Sequence, residues 1–205
     1  MDISQQLREL QYSPIHKKIE QRIKEFKRYQ YASHNDIFLE LCFCLMTASC
    51  PAERCLQIQQ ILREEFLHLS SKDLEKKLRD QGYRFPNRAP RITAARKQLP
   101  QLSQQLSQSC GRTIRQWLVE NIHGLGYKEA SHFLRNIGYD DVAIIDVHIL
   151  RILEKHGMIS APKTLTKKRY LTIEKKLEEL ADHTGLTLAE LDLYLWYIQT
   201  GKILK

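Results

Sequence analysis

The sequence has few of the features that mark disulfide-linked, metal-binding or membrane-spanning proteins. It contains 5 cysteines, an odd number that does not suggest a disulfide framework. Cys50 and Cys55 have no second Cys or His pair at zinc-binding spacing, and no cysteine follows Cys110. No apolar stretch approaches the ~20 residues that a bilayer-spanning helix needs, and "MDISQQLREL" does not resemble a signal peptide. We therefore expect no metal, no membrane association and a cytoplasmic location.

Glycine and proline are also scarce, which argues against a disordered or low-complexity chain. The 205 residues include 8 Gly and 6 Pro, with 42% hydrophobic and 27% charged residues, and this composition is typical of folded proteins. Acidic residues are outnumbered: 32 Lys+Arg against 24 Asp+Glu give a formal charge of +8. A positive excess favours a polyanionic partner such as nucleic acid, although many basic proteins have no such partner.

The hydrophobic spacing is helical along nearly the whole chain. Ile15, Ile19, Ile23 and Phe26 form one stripe at intervals of three and four residues. "SHNDIFLELCFCLMTA" becomes apolar on all sides after its cap-type residues, which predicts a central buried helix. A single helix is expected from about residue 91 to residue 106. "VAIID" (142–146) has no partner strands, so we interpret it as buried extended chain, and the predicted fold class is all-α.

A glycine-rich turn joins two amphipathic helices in the middle of the chain. Gly124 and Gly126 flank Leu125, and the second helix begins near Tyr127. Glycines let a backbone approach a ligand closely, and a helix N-terminus offers free N–H groups to a phosphate. A helix-capping glycine followed by a tight turn would give the same pattern, so spacing alone does not separate a phosphate site at Gly124, Gly126 and Tyr127 from an ordinary turn.

The downstream sequence adds a lysine and an aspartate in a specific context. Lys128 follows the turn, and Asp146 begins a helix 18 residues later, two positions before His148. Separately they suggest a surface lysine and a helix N-cap. Together, "GLGYK…IIDVHILRIL" resembles the signature of the helix-hairpin-helix DNA glycosylases. The absence of cysteine after Cys110 separates the chain from the members of that superfamily with an iron–sulfur loop.

Four further segments narrow the resemblance. "ELCFCLMTA", "YRF", "GYKEASHFLRNIGYDDVAIID" and the terminal "GKILK" are similar to the archaeal-type 8-oxoguanine DNA glycosylase/AP lyases. This resemblance implies two helical lobes with the active site in the cleft between them. It divides one unit, residues 1–205, into a lobe of about 35–125 and a lobe of 1–34 plus 126–205.

The resemblance also implies a chemistry and a substrate. Lys128 would be the nucleophile that replaces the damaged base and forms a Schiff base, and β-elimination would then nick the strand. Asp146 would orient or deprotonate Lys128 and stabilise positive charge on the sugar, while His148 is expected to be structural. The partner would be double-stranded DNA containing 8-oxoguanine or abasic sites, bound by a monomer without a cofactor. A monovalent cation on hairpin carbonyls is an additional expectation.

The remaining expected site residues concern recognition of the base. The flipped base would stack against Phe85 and Trp196, although either ring could equally belong to the core. Lys205 would help to distinguish 8-oxoguanine from guanine, the alternative being an ordinary frayed tail. Ser49 stands where relatives more often have Asn or Gln to fill the gap left by the base, and Arg84 would contact the opposite base. Four further cationic residues would either contact the DNA backbone or simply be solvated: Arg88, Arg91, Arg96 and Lys97.

Two other functions fit the same residues. One is a glycosylase for another damaged base, such as a deaminated or alkylated one. The other is a helix-hairpin-helix protein that binds DNA without chemistry and uses residues 124–128 only to grip phosphate.

Overall fold

The computed structural model describes residues 2–203, and this range contains α-helices and short 3₁₀ turns without any β-strand. Met1, Leu204 and Lys205 lie outside the described residues. The predicted all-α fold class is confirmed. Within residues 2–203, no helix is long and apolar enough to cross a membrane. The helices are α1 (Ile3–Gln11), α2 (Pro14–Arg28), α3 (His34–Thr47), α4 (Ala52–Ile61), α5 (Arg63–His68), α6 (Ser71–Asp80), α7 (Ala89–Arg96), α8 (Leu99–Gln108), α9 (Gly111–Asn121), α10 (Tyr127–Asn136), α11 (Val147–Lys155), α12 (Lys167–Thr184) and α13 (Leu188–Thr200).

Helix α3 is the central buried helix that its composition predicts. Ser33 caps it by accepting a hydrogen bond from the backbone N–H of Asp36 at 3.1 Å. Every residue from 38 to 47 is buried, on all sides of the helix. Such a helix is stabilised by packing on all its faces rather than by an amphipathic pattern.

The expectation of one helix over residues 91–106 is wrong, because the chain forms α7 and α8 there with a break at residues 97–98. Pro100 lies in the first turn of α8. Proline has no N–H to donate to the preceding turn, and its ring disfavours helical geometry at the residue before it. A helix begins readily at such a proline but does not continue through it.

The buried apolar side chains form two clusters. The first is built from helices α3 to α10, and the second combines α1 and α2 with the chain from Ala143 to Leu195. In helix α10 the apolar residues Ala130, Phe133 and Leu134 belong to the first cluster. The division of the chain into lobes at residue 125 stays a prediction. The hairpin and the segment 142–146 connect the two clusters, so residues between them can be positioned from both sides.

Candidate active site

The turn between α9 and α10 requires glycine at position 124. Gly124 has φ +99°, and a Cβ added there would lie 2.8 Å from Cδ of Arg91. Gly126 has extended backbone with φ −93°, so its conformation suits any residue. A Cβ at Gly126 would lie 3.2 Å from Oε2 of Glu129, so a side chain there would require only a small shift of Glu129. The backbone therefore fixes the requirement at Gly124, where the conformation disfavours a side chain and an added Cβ would displace Arg91.

Lys128 lies in the first turn of α10, directly after the hairpin. The N-cap of this helix is Gly126, which has no side chain to bond the first N–H groups, and these groups have no intrahelical acceptor. The Lys128 side chain is 29% exposed, and its Nζ lies 3.3 Å from Oε1 of Glu129. The amine is thus held at the positive end of a helix, within reach of solvent and paired with a carboxylate.

The Tyr127 side chain is engaged within the protein. Its hydroxyl donates to Oε1 of Gln116, and its ring lies 5.3 Å from the guanidinium of Arg115 and 5.4 Å from the ring of Tyr170. Tyr127 therefore anchors the start of α10 against α9 and α12. Its backbone N–H, at the first helical position, is the group that is free to meet a phosphate.

Asp146 is the N-cap of α11. Its Oδ1 accepts hydrogen bonds from the backbone N–H groups of His148 at 2.8 Å and Ile149 at 2.9 Å. Both bonds use the same oxygen. Within residues 2–203 the ion pair of Lys128 is made with Glu129, and none within 4 Å joins Lys128 to Asp146. The structure fixes the Asp146 carboxylate through its cap but does not bring the two expected catalytic groups into direct contact.

A buried polar network holds the extended segment that ends at Asp146. Oε1 of Glu174 accepts the N–H of Ala143 at 2.9 Å. The Tyr170 hydroxyl donates to the carbonyl of Ala143 at 2.7 Å and accepts the N–H of Ile145 at 3.2 Å. Burial raises the pKa of Tyr170 well above its usual range, so the hydroxyl stays protonated. This segment has no partner strand, and side chains of α12 supply the bonds that a strand would have given.

The same network reaches α9 through an ion pair in the core. Arg115 binds both carboxylate oxygens of Glu174, at 2.5 and 2.6 Å, and both side chains are 3% exposed. Arg115 also donates to Oγ of Ser131 at 3.1 Å. Sequence reasoning missed this pair, because 59 residues separate its members and no local pattern marks a charge as buried. Removing one member of such a pair is costly, because the other charge then stays buried and unpaired.

Trp196 and His148 lie against each other, so the structure brings α13 next to the cap at Asp146. Their rings meet edge to face at a centroid distance of 4.8 Å. Nε1 of Trp196 and Nδ1 of His148 are both buried, without a hydrogen-bond partner among the described residues. Trp196 is therefore close to Asp146 in space although 50 residues separate them.

Phe85 lies in the irregular chain before α7, as expected. The guanidinium of Arg88 lies 4.4 Å from its ring centroid and that of Arg84 lies 5.2 Å away. Arg88 also donates to the carbonyl of Met46 at 2.9 Å, which ties Phe85 to the end of α3. Arg84 is exposed. Phe85 and Arg84 are thus placed together beside the turn that follows α3.

Ser49 lies in that turn, exposed and with φ +57°. It has the only positive φ among the non-glycine residues that the structure describes. Asparagine adopts this left-handed conformation more readily than serine does. The backbone conformation at position 49 therefore suits Asn better than Ser.

The cationic group around α7 divides into different environments. Arg96 donates to the carbonyls of Phe66 at 2.6 Å and Leu69 at 3.0 Å, so its guanidinium caps α5 and is not on a solvated face. The side chain of Arg91 lies against Gly124 and is part of the hairpin surface. Lys205 lies outside the described residues, and three positions earlier Lys202 pairs with Glu53 of α4 at 3.1 Å.

Comparison with known proteins places the chain in a family. The model of the 8-oxoguanine DNA glycosylase family matches residues 19–186. A protein of Korarchaeum cryptofilum named 8-oxoguanine DNA glycosylase/AP lyase is 48% identical and covers 100% of this chain and 98% of its own length. A crystal structure of the Methanocaldococcus jannaschii 8-oxoguanine glycosylase/lyase, in complex with a 15mer DNA containing 8-oxoguanine, superimposes with a TM-score of 0.95 at 45% identity and covers 99% of both chains. The crystal structure of the Thermotoga maritima 8-oxoguanine DNA glycosylase has a TM-score of 0.92 at 40% identity, covering 99% of this chain and 98% of that one.

The all-helical fold and these full-length similarities place the chain among the helix-hairpin-helix DNA glycosylases. More particularly, the chain belongs to the 8-oxoguanine DNA glycosylase family.

Proposed function

We propose that this protein is a bifunctional DNA glycosylase and AP lyase that excises 8-oxoguanine from double-stranded DNA and nicks the strand at the resulting abasic site. The observation that carries the proposal is the full-length similarity, at 45% identity, to a solved relative in complex with DNA containing 8-oxoguanine. The formal charge of +8 suits a polyanionic partner.

Lys128 is the proposed nucleophile. Its neutral amine attacks C1′ of the damaged nucleotide, the C1′–N9 bond breaks, and the base leaves with the electron pair. The amine must first separate from Glu129, whose carboxylate lies 3.3 Å away. Loss of a proton from the nitrogen and opening of the sugar ring give a Schiff base between Nζ and C1′. This covalent intermediate distinguishes the mechanism from direct attack by water.

Asp146 is proposed to stabilise the positive charge that develops on the sugar as the base leaves. A carboxylate fixed by two backbone N–H groups is preorganised, so it does not have to reorient during the reaction. The nick follows when a proton is removed from C2′ of the Schiff base and the 3′ phosphate leaves by β-elimination. The base that Lys128 displaces is a candidate to take this proton.

The hairpin is proposed to hold the DNA backbone while the damaged base leaves the helix. The free N–H groups at the start of α10 and the backbone of Gly124 and Gly126 would bind phosphate. Phe85 and Trp196 would form the walls of the base pocket. Lys205 would contribute to recognition of 8-oxoguanine, and Ser49 and Arg84 would face the site that the base vacates.

We extend the proposal to the state of the protein in the cell. The enzyme would work as a monomer without a cofactor in the cytoplasm, associated with the nucleoid when bound to DNA. A monovalent cation at the hairpin stays a prediction. The cation would be held by backbone carbonyls, and the last carbonyls of α9 have no intrahelical donor that would compete for them. The carbonyl of Ile122, by contrast, accepts the N–H of Leu125 at 3.2 Å. No step of the proposed reaction passes through the cation.

Borohydride trapping on a panel of duplexes tests the function. Duplexes with 8-oxoguanine, uracil, hypoxanthine or an abasic site are incubated with the enzyme and borohydride. The covalent protein–DNA adducts are then separated by gel electrophoresis and quantified. We expect adducts with 8-oxoguanine and abasic DNA. Adducts mainly with another lesion would identify a glycosylase of different specificity, and DNA binding without any adduct would identify a binding protein without lyase activity.

A further inference from the structure

A buried ion pair joins α13 to α10 behind the candidate active site. Nη1 of Arg135 lies 2.5 Å from Oδ2 of Asp192, and the two side chains are 4% and 10% exposed. Lys128 precedes Arg135 by seven residues, which is about two turns of α10, and Trp196 follows Asp192 by one turn of α13. The ion pair therefore connects the helix of the proposed nucleophile to the helix of the proposed base-stacking indole.

Arg135 is fixed by contacts other than Asp192. Its Nε and Nη2 donate to Oδ1 of Asn136 at 3.1 and 2.8 Å, and its guanidinium lies 4.8 Å from the ring centroid of Phe26. Asn136 in turn donates to Oε1 of Glu40 at 2.7 Å. Arg135 thus has little freedom to follow Asp192, so Asp192 is positioned by Arg135 rather than the reverse.

Asp192 also lies in the electrostatic field of Asp146. Burial raises the pKa of Asp192 to about 6, Arg135 opposes that rise, and the negative charge of Asp146 adds to it. Asp192 borders a small cavity with Ile144 and Ile149, residues that flank Asp146 on either side along the chain. Asp192 therefore lies between the guanidinium of Arg135, which it pairs with, and the chain that carries Asp146.

We propose that Asp192 is a positioning residue for excision: ionised and paired with Arg135, it keeps Trp196 and the chain around Asp146 fixed relative to Lys128. This inference rests on the proposed function. Without the Asp192 charge, Arg135 would be left as a buried cation without its carboxylate, and the contact that fixes α13 against α10 would be lost.

The pH dependence follows from the groups around Asp192. Arg135 and Asp146 are the charged groups that act on it. Helices α1, α2, α11 and α12 pack against α13, and titratable groups on them have other partners. His16 and Glu20 face Tyr194, Arg8 binds the carbonyl of His183, and His148 lies on Trp196. Arg22 pairs with Glu25, Lys27 with Asp140, Glu174 with Arg115 and Glu178 with Arg112, and Glu154 accepts the N–H of Ala161. Below pH about 6 Asp192 becomes protonated, which removes its charge from the ion pair. We expect the excision rate to fall as the pH decreases through this range.

Single-turnover excision of 8-oxoguanine by the full chain, from pH 5 to pH 8, tests the proposal. Asp192→Asn is expected to reduce the rate at pH 7.5 by about tenfold or more, and the ratio of its rate to the wild-type rate is expected to rise toward one below pH 6, where wild-type Asp192 is protonated as well. Asp36→Asn is the matched control, because Asp36 pairs with Arg63 at 2.6 Å on the surface, and we expect it to keep the wild-type profile. A merely structural loss would lower the rate of Asp192→Asn at every pH without changing the shape of the profile.

A second variant covers the case in which Asp192→Asn does not fold. Asp192→Asn combined with Arg135→Gln leaves no unpaired charge in the core, so it is expected to fold, to be faster than Asp192→Asn and to decrease less steeply below pH 6 than the wild type. A wild-type rate with a wild-type profile in either folded variant would overturn the proposal. So would a wild-type rate that stays constant from pH 8 to pH 5. Failure of wild-type enzyme to form a trapped adduct would instead contradict the proposed function itself.

Discussion

The proposed catalytic roles of Asp146 and Lys128 depend on where the fold holds these two residues, because neither is an unusual residue type for its position. Asp146 is an ordinary N-cap by its hydrogen bonds, and Lys128 is a first-turn lysine paired with its neighbour. What distinguishes them is location: one lies directly after a hairpin that excludes side chains, and the other ends a segment held by a buried network. The same residues on a solvated surface would have no comparable chemistry.

The two functions of Asp146 can be separated by substitution. Asp146→Asn keeps a good N-cap residue but removes the charge, so we expect the free energy of unfolding to change by less than about 0.5 kcal/mol and the excision rate to fall by about 100-fold or more. Asp146→Ala should lose about 1 kcal/mol of stability as well. Urea denaturation and single-turnover kinetics measure the two effects. Asp146→Asn with wild-type excision would contradict the catalytic role.

At the scale of elements, the hairpin and the extended segment are the parts that place the proposed catalytic groups. Sequence patterns predicted that both exist: the glycine pair marked the turn, and an apolar run without partner strands marked the extended segment. The bonds that fix the segment could not be predicted. Glu174 and Tyr170 lie about 30 residues further along the chain, and helical periodicity indicates which face of α12 is buried but not which backbone groups it meets.

Substitution of the hairpin glycine tests the close packing against α7. Gly124→Ala is expected to destabilise the protein by about 2 kcal/mol or more, because the residue has φ +99° and its Cβ would meet Arg91. It should also weaken DNA binding severalfold. Gly157→Ala is the matched control: φ is +68° and no atom lies within 4 Å of an added Cβ, so only the backbone strain of about 1 kcal/mol remains. Equal effects of the two substitutions would contradict the close approach at Gly124.

The support of the extended segment is tested by removing one hydroxyl. Tyr170→Phe leaves the buried carbonyl of Ala143 and the N–H of Ile145 without their partner, so we expect a loss of about 1–3 kcal/mol of stability. Because Asp146 follows this segment directly, excision should slow even under conditions where the variant is fully folded. Thermal denaturation and single-turnover rates measure the two effects, and a fully stable or fully active variant would show that other contacts hold the segment.

At the scale of the whole molecule, polar side chains join parts of the chain that are distant in sequence. Arg135 and Asp192 link α10 to α13, and Arg115 and Glu174 link α9 to α12. The all-α class and the central helix α3 followed from composition and periodicity. These links did not, since a buried charge is recognised only once its partner is known. Family resemblance supplied the expected catalytic residues, while the ion pairs around them required the structure.

The C-terminus is expected to control discrimination between bases rather than strand nicking. Lys202 pairs with Glu53 across the molecule, but both side chains are exposed, so the pair contributes little to stability. Removal of Lys205 should reduce the ratio of 8-oxoguanine to guanine excision severalfold and leave nicking of a preformed abasic site nearly unchanged. Competition assays with both duplexes measure the ratio. Equal loss of the two activities would contradict a recognition role for Lys205.

The central claim is that Lys128 forms the covalent bond to the damaged nucleotide. The most direct measurement is peptide mapping of the borohydride-trapped complex with 8-oxoguanine duplex by mass spectrometry, with Lys128→Gln and the surface control Lys77→Gln examined in parallel. We predict a nucleotide adduct on Lys128, none with Lys128→Gln, and the wild-type amount with Lys77→Gln. An adduct on another lysine, or an undiminished adduct in Lys128→Gln, would contradict the account.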